Sequence, residues 1–277
     1  MLRFFSLALD KFLEKSPPDP LFISLFNFRN SLTVRRKGRG KNFKSRLYKA
    51  KHSGHYFVKS NTQSIRVSNL ILANHTYKNG LFERSMEIGN IYHLNHIRFS
   101  EGDLIVDCGA NSGDLYLYFT QMELAIRYAA FEPSLKDFEC LRYNIPLQHQ
   151  DIFQKGLFNQ NGTLDFFVST SGADSSFIDP GFHDSVERIE VVRLDSFDFS
   201  TIKLLKVEAE GAEPEVLQGA LQLLPKIEYI SVDAGFERGR NQESTLVDVF
   251  NFLTANKFEL VSMSHGRIVG LFRNTQH

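Results

Sequence analysis

Leu104–Phe119 reads LIVDCGANSGDLYLYF. An apolar run suited to a buried strand stops at Asp107, the chain turns through Gly109, Asn111 and Gly113, and a second apolar run follows at once. A strand ending in a glycine-rich turn that opens a helix is how a doubly wound sheet makes its binding edge, because ligands sit beyond the carboxyl ends of the strands, at helix N-termini. Glycines in such a turn let backbone N–H groups approach a ligand.

The chain on either side supports this reading. From Asp103 onward, short apolar runs alternate with helix-like segments: DLIVDC and a helix through Leu124, YAAFE and a helix from Ser134 to Asn144, then IFQKGLF. TLDFFV and RIEVVRL alternate like half-exposed strands, and IKLLKVEA leads into a helix opened by EPEV, where Pro214 suits the first turn. YISVDA, a helix from Ser244 to Asn256, FELVSMS and IVGLFR complete the series. This order predicts an α/β fold, a mostly parallel sheet covered on both faces. Only HGR separates the last two runs, too little for a crossover, so they should pair as an antiparallel hairpin at the sheet edge.

Upstream, residues 1–60 read as an N-terminal appendage and 61–277 as the α/β domain. The appendage holds a short amphipathic helix ending near Ser16 at SPPDP, the aromatic LFISLFNF, and the basic run RRKGRGKNFKSRLYKAK from Arg35 to Lys51. Leu81 to Ile97 carries apolar residues at helical spacing. Formal charge balances at 32 basic against 32 acidic residues, so no global field points to nucleic acid. The stretch from Pro20 to Phe82 nevertheless lacks any Asp or Glu. Its basic run suits an anionic membrane surface or phosphates, with a solvated linker as the alternative. Cys108 and Cys140 lack the spacing of a metal site and read as reduced core residues. With no cleavable leader and no apolar stretch long enough to span a bilayer, a cytoplasmic location is expected, with peripheral contact at the inner membrane face through the basic arm.

Acids in three motifs carry the chemical reading. Asp107 inside the turn would repel a pyrophosphate and welcome an ammonium, and Asn111 stands where a dinucleotide fingerprint has its second glycine. Glu132 ends the next strand, where an acid accepts hydrogen bonds from ribose hydroxyls. A nucleoside carrying an amino acid, as in S-adenosyl-methionine, fits this pair. In LLKVEAEGAEPEVLQGA, strand alternation puts Lys206, Glu208 and Glu210 on one side. They make either a structural ion pair or a polar, substrate-facing site in which like charges raise one glutamate's pKa.

VDCGANSGD, AAFEPSLKDFECLRYNI and LLKVEAEGAEPEVLQGA resemble the ordered motifs of the FkbM-type methyltransferases, a class I, Rossmann-like, S-adenosyl-methionine-dependent family. The likeness runs from about residue 80 to residue 275 and departs from the family at Glu208, where Asp is common. It implies O-methylation, often of sugar hydroxyls in surface polysaccharides and related glycans. On the matching positions it implies that Asp107, Gly109, Asn111 and Gly113 line the methionine end, Glu132 the ribose, and Gly156 and Leu157 the adenine. Glu208, Asp233 and His265 are the candidate bases for the acceptor hydroxyl. Methylation of a non-glycan oxygen or nitrogen, or a catalytically silent scaffold in glycan assembly, are the competing readings. A nicotinamide-binding protein is disfavoured by Asn111 and Asp107.

Overall fold

Strand runs with no polar face must be buried on both sides, and this chain meets that demand with helices on both faces of one sheet. The computed structural model describes residues 9–15, 17–37, 45–51, 54–61, 63–146, 151–169, 175–264 and 266–277, with side chains outside 32–37. A long helix, α1 (Asp19–Lys37), precedes an antiparallel meander of β1 (Ser45–Lys49), β2 (Tyr56–Ser60) and β3 (Gln63–Val67). Helices α2 (Leu70–Tyr77) and α3 (Leu81–Ile91) then lead to β4 (Leu104–Cys108), the strand of the opening motif. Next come α4 (Asp114–Gln121), β5 (Arg127–Phe131), α5 (Leu135–Asn144), β6 (Asp151–Phe153), β7 (Gly156–Leu157), β8 (Gly162–Val168) and β9 (Ser185–Val192). The chain finishes with β10 (Ile202–Val207), α6 (Glu213–Gly219), β11 (Ile227–Asp233), β12 (Phe236–Arg238), β13 (Glu243–Ser244), α7 (Leu246–Ala255), β14 (Phe258–Met263) and β15 (Val269–Asn274).

The central sheet has seven strands in the order β14-β15-β11-β10-β4-β5-β6. From β6 to β11 every pairing is parallel, and β15 runs antiparallel between β11 and β14. The expected hairpin therefore exists, with its last strand inserted one place in from the edge. Alternation along β4 sends Leu104, Val106 and Cys108 into a core with α6 and α7, and Ile105 into a second core with α3 and α4. Asp107 shares the second face with Ile105, as do Lys206 with Leu204 on β10. Successive strands run outward from β4 in one direction and from β10 in the other, so the switch point lies between these two strands, where the glycine turn is. The arrangement is the Rossmann-like α/β fold the sequence predicts.

Two expectations need correction. TLDFFV and RIEVVRL do not extend the main sheet. With Gly156–Leu157 they form a separate three-stranded sheet, β7-β9-β8, because their largely exposed residues have too few apolar faces to be covered twice. The boundary at 60/61 falls inside the β2–β3 hairpin, where Ser60 pairs with Gln63. One apolar cluster runs from Leu13, Phe22 and Phe26 through Leu47, Val58 and Ile65 to Tyr77 and Leu81, so the N-terminal part packs as a unit that includes α2. Asn27 exchanges hydrogen bonds with both backbone groups of Leu47 (2.8 and 2.9 Å) and docks α1 on β1. Phe22 and Phe26, two rings of the aromatic segment LFISLFNF, are buried in this core.

Candidate active site

Gly109 leaves β4 with φ +71°, and a Cβ there would lie 2.1 Å from the carbonyl oxygen of Glu208. The turn after β4 therefore touches the end of β10 so closely that only glycine fits. Lys206 fastens the same contact. Its Nζ donates to the carbonyls of Gly109 (2.7 Å) and Cys108 (3.1 Å) and lies 3.1 Å from carboxylate oxygens of both Asp107 and Glu208. Burial opposes its charge, but Asp107, Tyr92 and Glu208 outweigh it and raise the Lys206 pKa. Asn111 takes φ 48°, a conformation Asn tolerates, and its N–H donates to Glu132 at 2.8 Å. Glu132 also accepts from the N–H of Ser134 at 2.8 Å, so both its oxygens are oriented. Burial is the larger influence and pushes its pKa up to about 8.

Beyond the turn lies a cluster of acids around Arg267, which comes from the turn between β14 and β15. Its guanidinium donates to Asp233 and to Glu208. Glu208 accepts in addition from the Tyr92 hydroxyl at 2.6 Å. Burial would raise the Glu208 pKa, yet Lys206 and Arg267 hold it down at about 2. Like charges therefore do not raise the pKa of Glu208, because the cations that meet it outweigh the acids. Glu213, at the start of α6, is buried and satisfied by the N–H groups of Ala209 (3.0 Å) and Gly211 (3.1 Å) and by Thr245 (2.9 Å). It shapes the loop that carries Glu208 and Glu210. Glu237, on β12, is half-buried, and burial with Asp233, Glu213 and Glu208 nearby pushes its pKa up to about 7.

These groups face a cleft of about 510 Å³. Asp107, Gly109, Asn111 and Glu132 line it, as do Gly156, Leu157, Lys206, Glu208 and Glu210, so most of the residues picked from sequence converge. Gly113 does not. It is buried at the N-terminus of α4 with φ +93°, packed against Leu141 and Ile145, and serves the turn rather than the cleft. Asp233 lies behind the cleft, fully buried beneath Arg267, and His265 lies outside the described residues. Lys206, expected to meet substrate, is committed to the turn and its acids. Sequence reasoning missed Arg267, which stands in the HGR turn already singled out, and Glu237, which follows YISVDA; a charged residue in the hairpin turn was the available signal for the first. It also missed the wall made by Ser68, Leu72, His75 and Thr76 at and before α2, and by Tyr92 after α3.

The residues fit a nucleoside bearing an amino acid. The cleft's lining includes the apolar side chains of Leu157, Phe166 and Phe177, and the Phe177 ring fills the space a Cβ on Gly156 would need. Asp107, which also lines the cleft, has its Oδ1 buried without a hydrogen bond, with the Lys206 ammonium 3.1 Å away. Ligand pockets are typically about 300–1,000 Å³, so the cleft is large enough for such a molecule with an acceptor beside it.

Residues 107–260 match the Methyltransferase FkbM domain. A curated 2-O-methyltransferase, NoeI of Sinorhizobium fredii, is 26% identical over 196 residues, covering 62% of this chain and 80% of that protein. Among solved structures, a methyltransferase FkbM from Methylobacillus flagellatus aligns with a TM-score of 0.47 and 20% identity, covering 65% of this chain. This chain spans only 45% of that protein's length. A precorrin-6y C5,15-methyltransferase of Geobacter metallireducens aligns at 0.41 with 11% identity, covering 68% of this chain and 88% of that one.

Proposed function

The chain belongs to the FkbM methyltransferase family, a family of S-adenosyl-methionine-dependent enzymes, and from that premise we propose that it methylates a sugar hydroxyl of a glycan. The observation that carries the acceptor reading is that apolar side chains and the polar groups Glu208, Glu237 and Arg267 line one cleft. Carboxylates and a guanidinium are the groups that hold a polyhydroxylated ring by hydrogen bonds. The name of the S. fredii relative, a 2-O-methyltransferase, supports an oxygen as the methylated atom.

When bound, the co-substrate supplies a methyl group already activated on a positively charged sulfur. The protein's contribution is therefore to position two reactants and take one proton. Leu157, Phe166 and Phe177 would hold the base, Glu132 the ribose hydroxyls, and the Gly109–Asn111 turn with Asp107 the amino-acid end. Lys206 neutralises Asp107 and Glu208 and locks the turn to β10, so the cleft is set before either reactant arrives. Arg267, held by two acids, presents its remaining N–H groups to an acceptor oxygen. We further propose that the basic run Arg35–Lys51 meets an anionic surface, such as a membrane leaflet or a lipid-linked glycan phosphate. No helix among the described residues is long and apolar enough to cross a membrane.

The test is transfer from methyl-labelled S-adenosyl-methionine to a panel of oligosaccharides, with phenols and amines as contrast. Label on a ring hydroxyl, located by fragmentation mass spectrometry, is expected. Label on phenols or amines alone would overturn the glycan reading and leave the family assignment standing.

A further inference from the structure

Every acid lining the cleft except one is already engaged. Asp107 is paired with Lys206 and Tyr128, and Glu132 accepts two backbone N–H groups. Asp114 meets Tyr77 and Arg84, Glu87 meets Arg84, and Asp137 meets Ser68. Glu208 is bound by three partners, and Glu210 has an interaction of its own. Behind them, Asp233 and Glu213 are paired as well. Glu237 lines the same cleft with no hydrogen bond or ion pair to any described residue. A Cβ on Gly235 would lie 3.2 Å from Glu237 Oε1 and 3.4 Å from Asp233 Oδ1, so the two carboxylates fold over the same glycine, one paired and one not. Along β12 the neighbours point elsewhere: Phe236 is exposed and Arg238 is committed to Glu215.

We propose that Glu237 is the general base of the methyl transfer, accepting the proton of the acceptor hydroxyl. This rests on the reading that the acceptor is a hydroxyl. As the oxygen forms its bond to the methyl carbon, the carbon–sulfur pair leaves on sulfur. The hydroxyl O–H bond breaks, and its proton ends on a Glu237 oxygen, to be released to solvent before the next turnover. The charged and titratable groups facing Glu237 are Asp233, Glu213 and Glu208 on one sign and Arg267 on the other. Burial and the three acids push the pKa up to about 7, where a base is both ionised and able to hold a proton. Glu208, held at about 2, keeps no such affinity for a proton.

The sign of the linked stability change follows. The unfolded glutamate ionises near 4.5 while the folded one keeps its proton to about 7, so the folded state loses stability as pH rises through that window. Three measurements on wild type, Glu237→Gln and Glu237→Asp decide the proposal: S-adenosyl-homocysteine binding by calorimetry, thermal unfolding from pH 4.5 to 8, and methyl transfer against pH. Glu237→Gln should bind S-adenosyl-homocysteine within about twofold of wild type. It should flatten the stability slope below pH 7 and lower turnover by about 10²–10⁴, abolishing the rising limb near pH 7, which Glu237→Asp retains. Turnover of Glu237→Gln within tenfold of wild type, or a low rate with the rising limb intact, would overturn the proposal. If no sugar is methylated even by wild type, the glycan reading fails by itself, and the unfolding series still decides: a slope unchanged by Glu237→Gln sinks the proposal, and its loss supports it.

Discussion

At the scale of single residues, Gly109 and Glu208 are one contact seen from two sides. The carbonyl of Glu208 occupies the space of the missing Gly109 Cβ, and Lys206 ties both ends together. Gly109→Ala should therefore separate β4 from β10 at the cleft, adding backbone strain at positive φ to a steric clash. The expected cost is about 3 kcal/mol or more in chemical denaturation, with loss of S-adenosyl-homocysteine binding. A variant that keeps wild-type stability and affinity would contradict the contact. Gly109 was legible because a strand-to-helix turn states its need for glycine locally. The state of Glu208 was not, because Arg267 and Tyr92 reach it from 59 and 116 residues away. Sequence spacing exposes the like charges on one strand but not the cations that other elements bring to them.

Among elements, Asn144 at the end of α5 joins parts that have no local reason to meet. Its side-chain amide donates to the carbonyls of Arg66 (2.9 Å) and Ser112 (2.8 Å), and its oxygen accepts from the N–H of Arg66 at 2.8 Å. It therefore clamps the end of β3 to the glycine turn. Asn144→Ala leaves three buried or half-buried backbone groups without partners, at about 1–3 kcal/mol for each group left fully desolvated. The expected outcome is a stability loss of about 2–4 kcal/mol, with faster hydrogen exchange at Ser112 and Arg66 together. Faster exchange at only one of the two would show that the clamp does not couple them. Strand runs and their order of direction were readable from periodicity. The departure of β8 and β9 into their own sheet was not, since a half-exposed strand carries no mark of the sheet it will join.

For the whole molecule, the N-terminal part is a wall of the cleft as well as a packed unit of its own, because α2 belongs to its apolar core and also lines the site. Removing the first 52 residues would strip α1 and β1 from that core, so the role of the basic run is better tested by charge than by truncation. Replacing Arg35, Arg36, Lys37, Arg39, Lys41 and Lys44 with Gln should abolish salt-sensitive co-sedimentation with anionic vesicles while methyl transfer to a soluble acceptor persists. Each basic residue at such a surface contributes about 1 kcal/mol. Equal, salt-insensitive partitioning of both proteins would make the run an ordinary solvated segment. Sequence alone determined the α/β class, the glycine turn, the acids at the ends of β4 and β5, and through their order the family. These follow from short-range rules of chain periodicity and turn sterics. Tertiary structure alone decided which acids are neutralised and which one is left unpaired, and it put the N-terminal helices against the cleft. The charge state of a buried carboxylate depends on neighbours that only folding assembles.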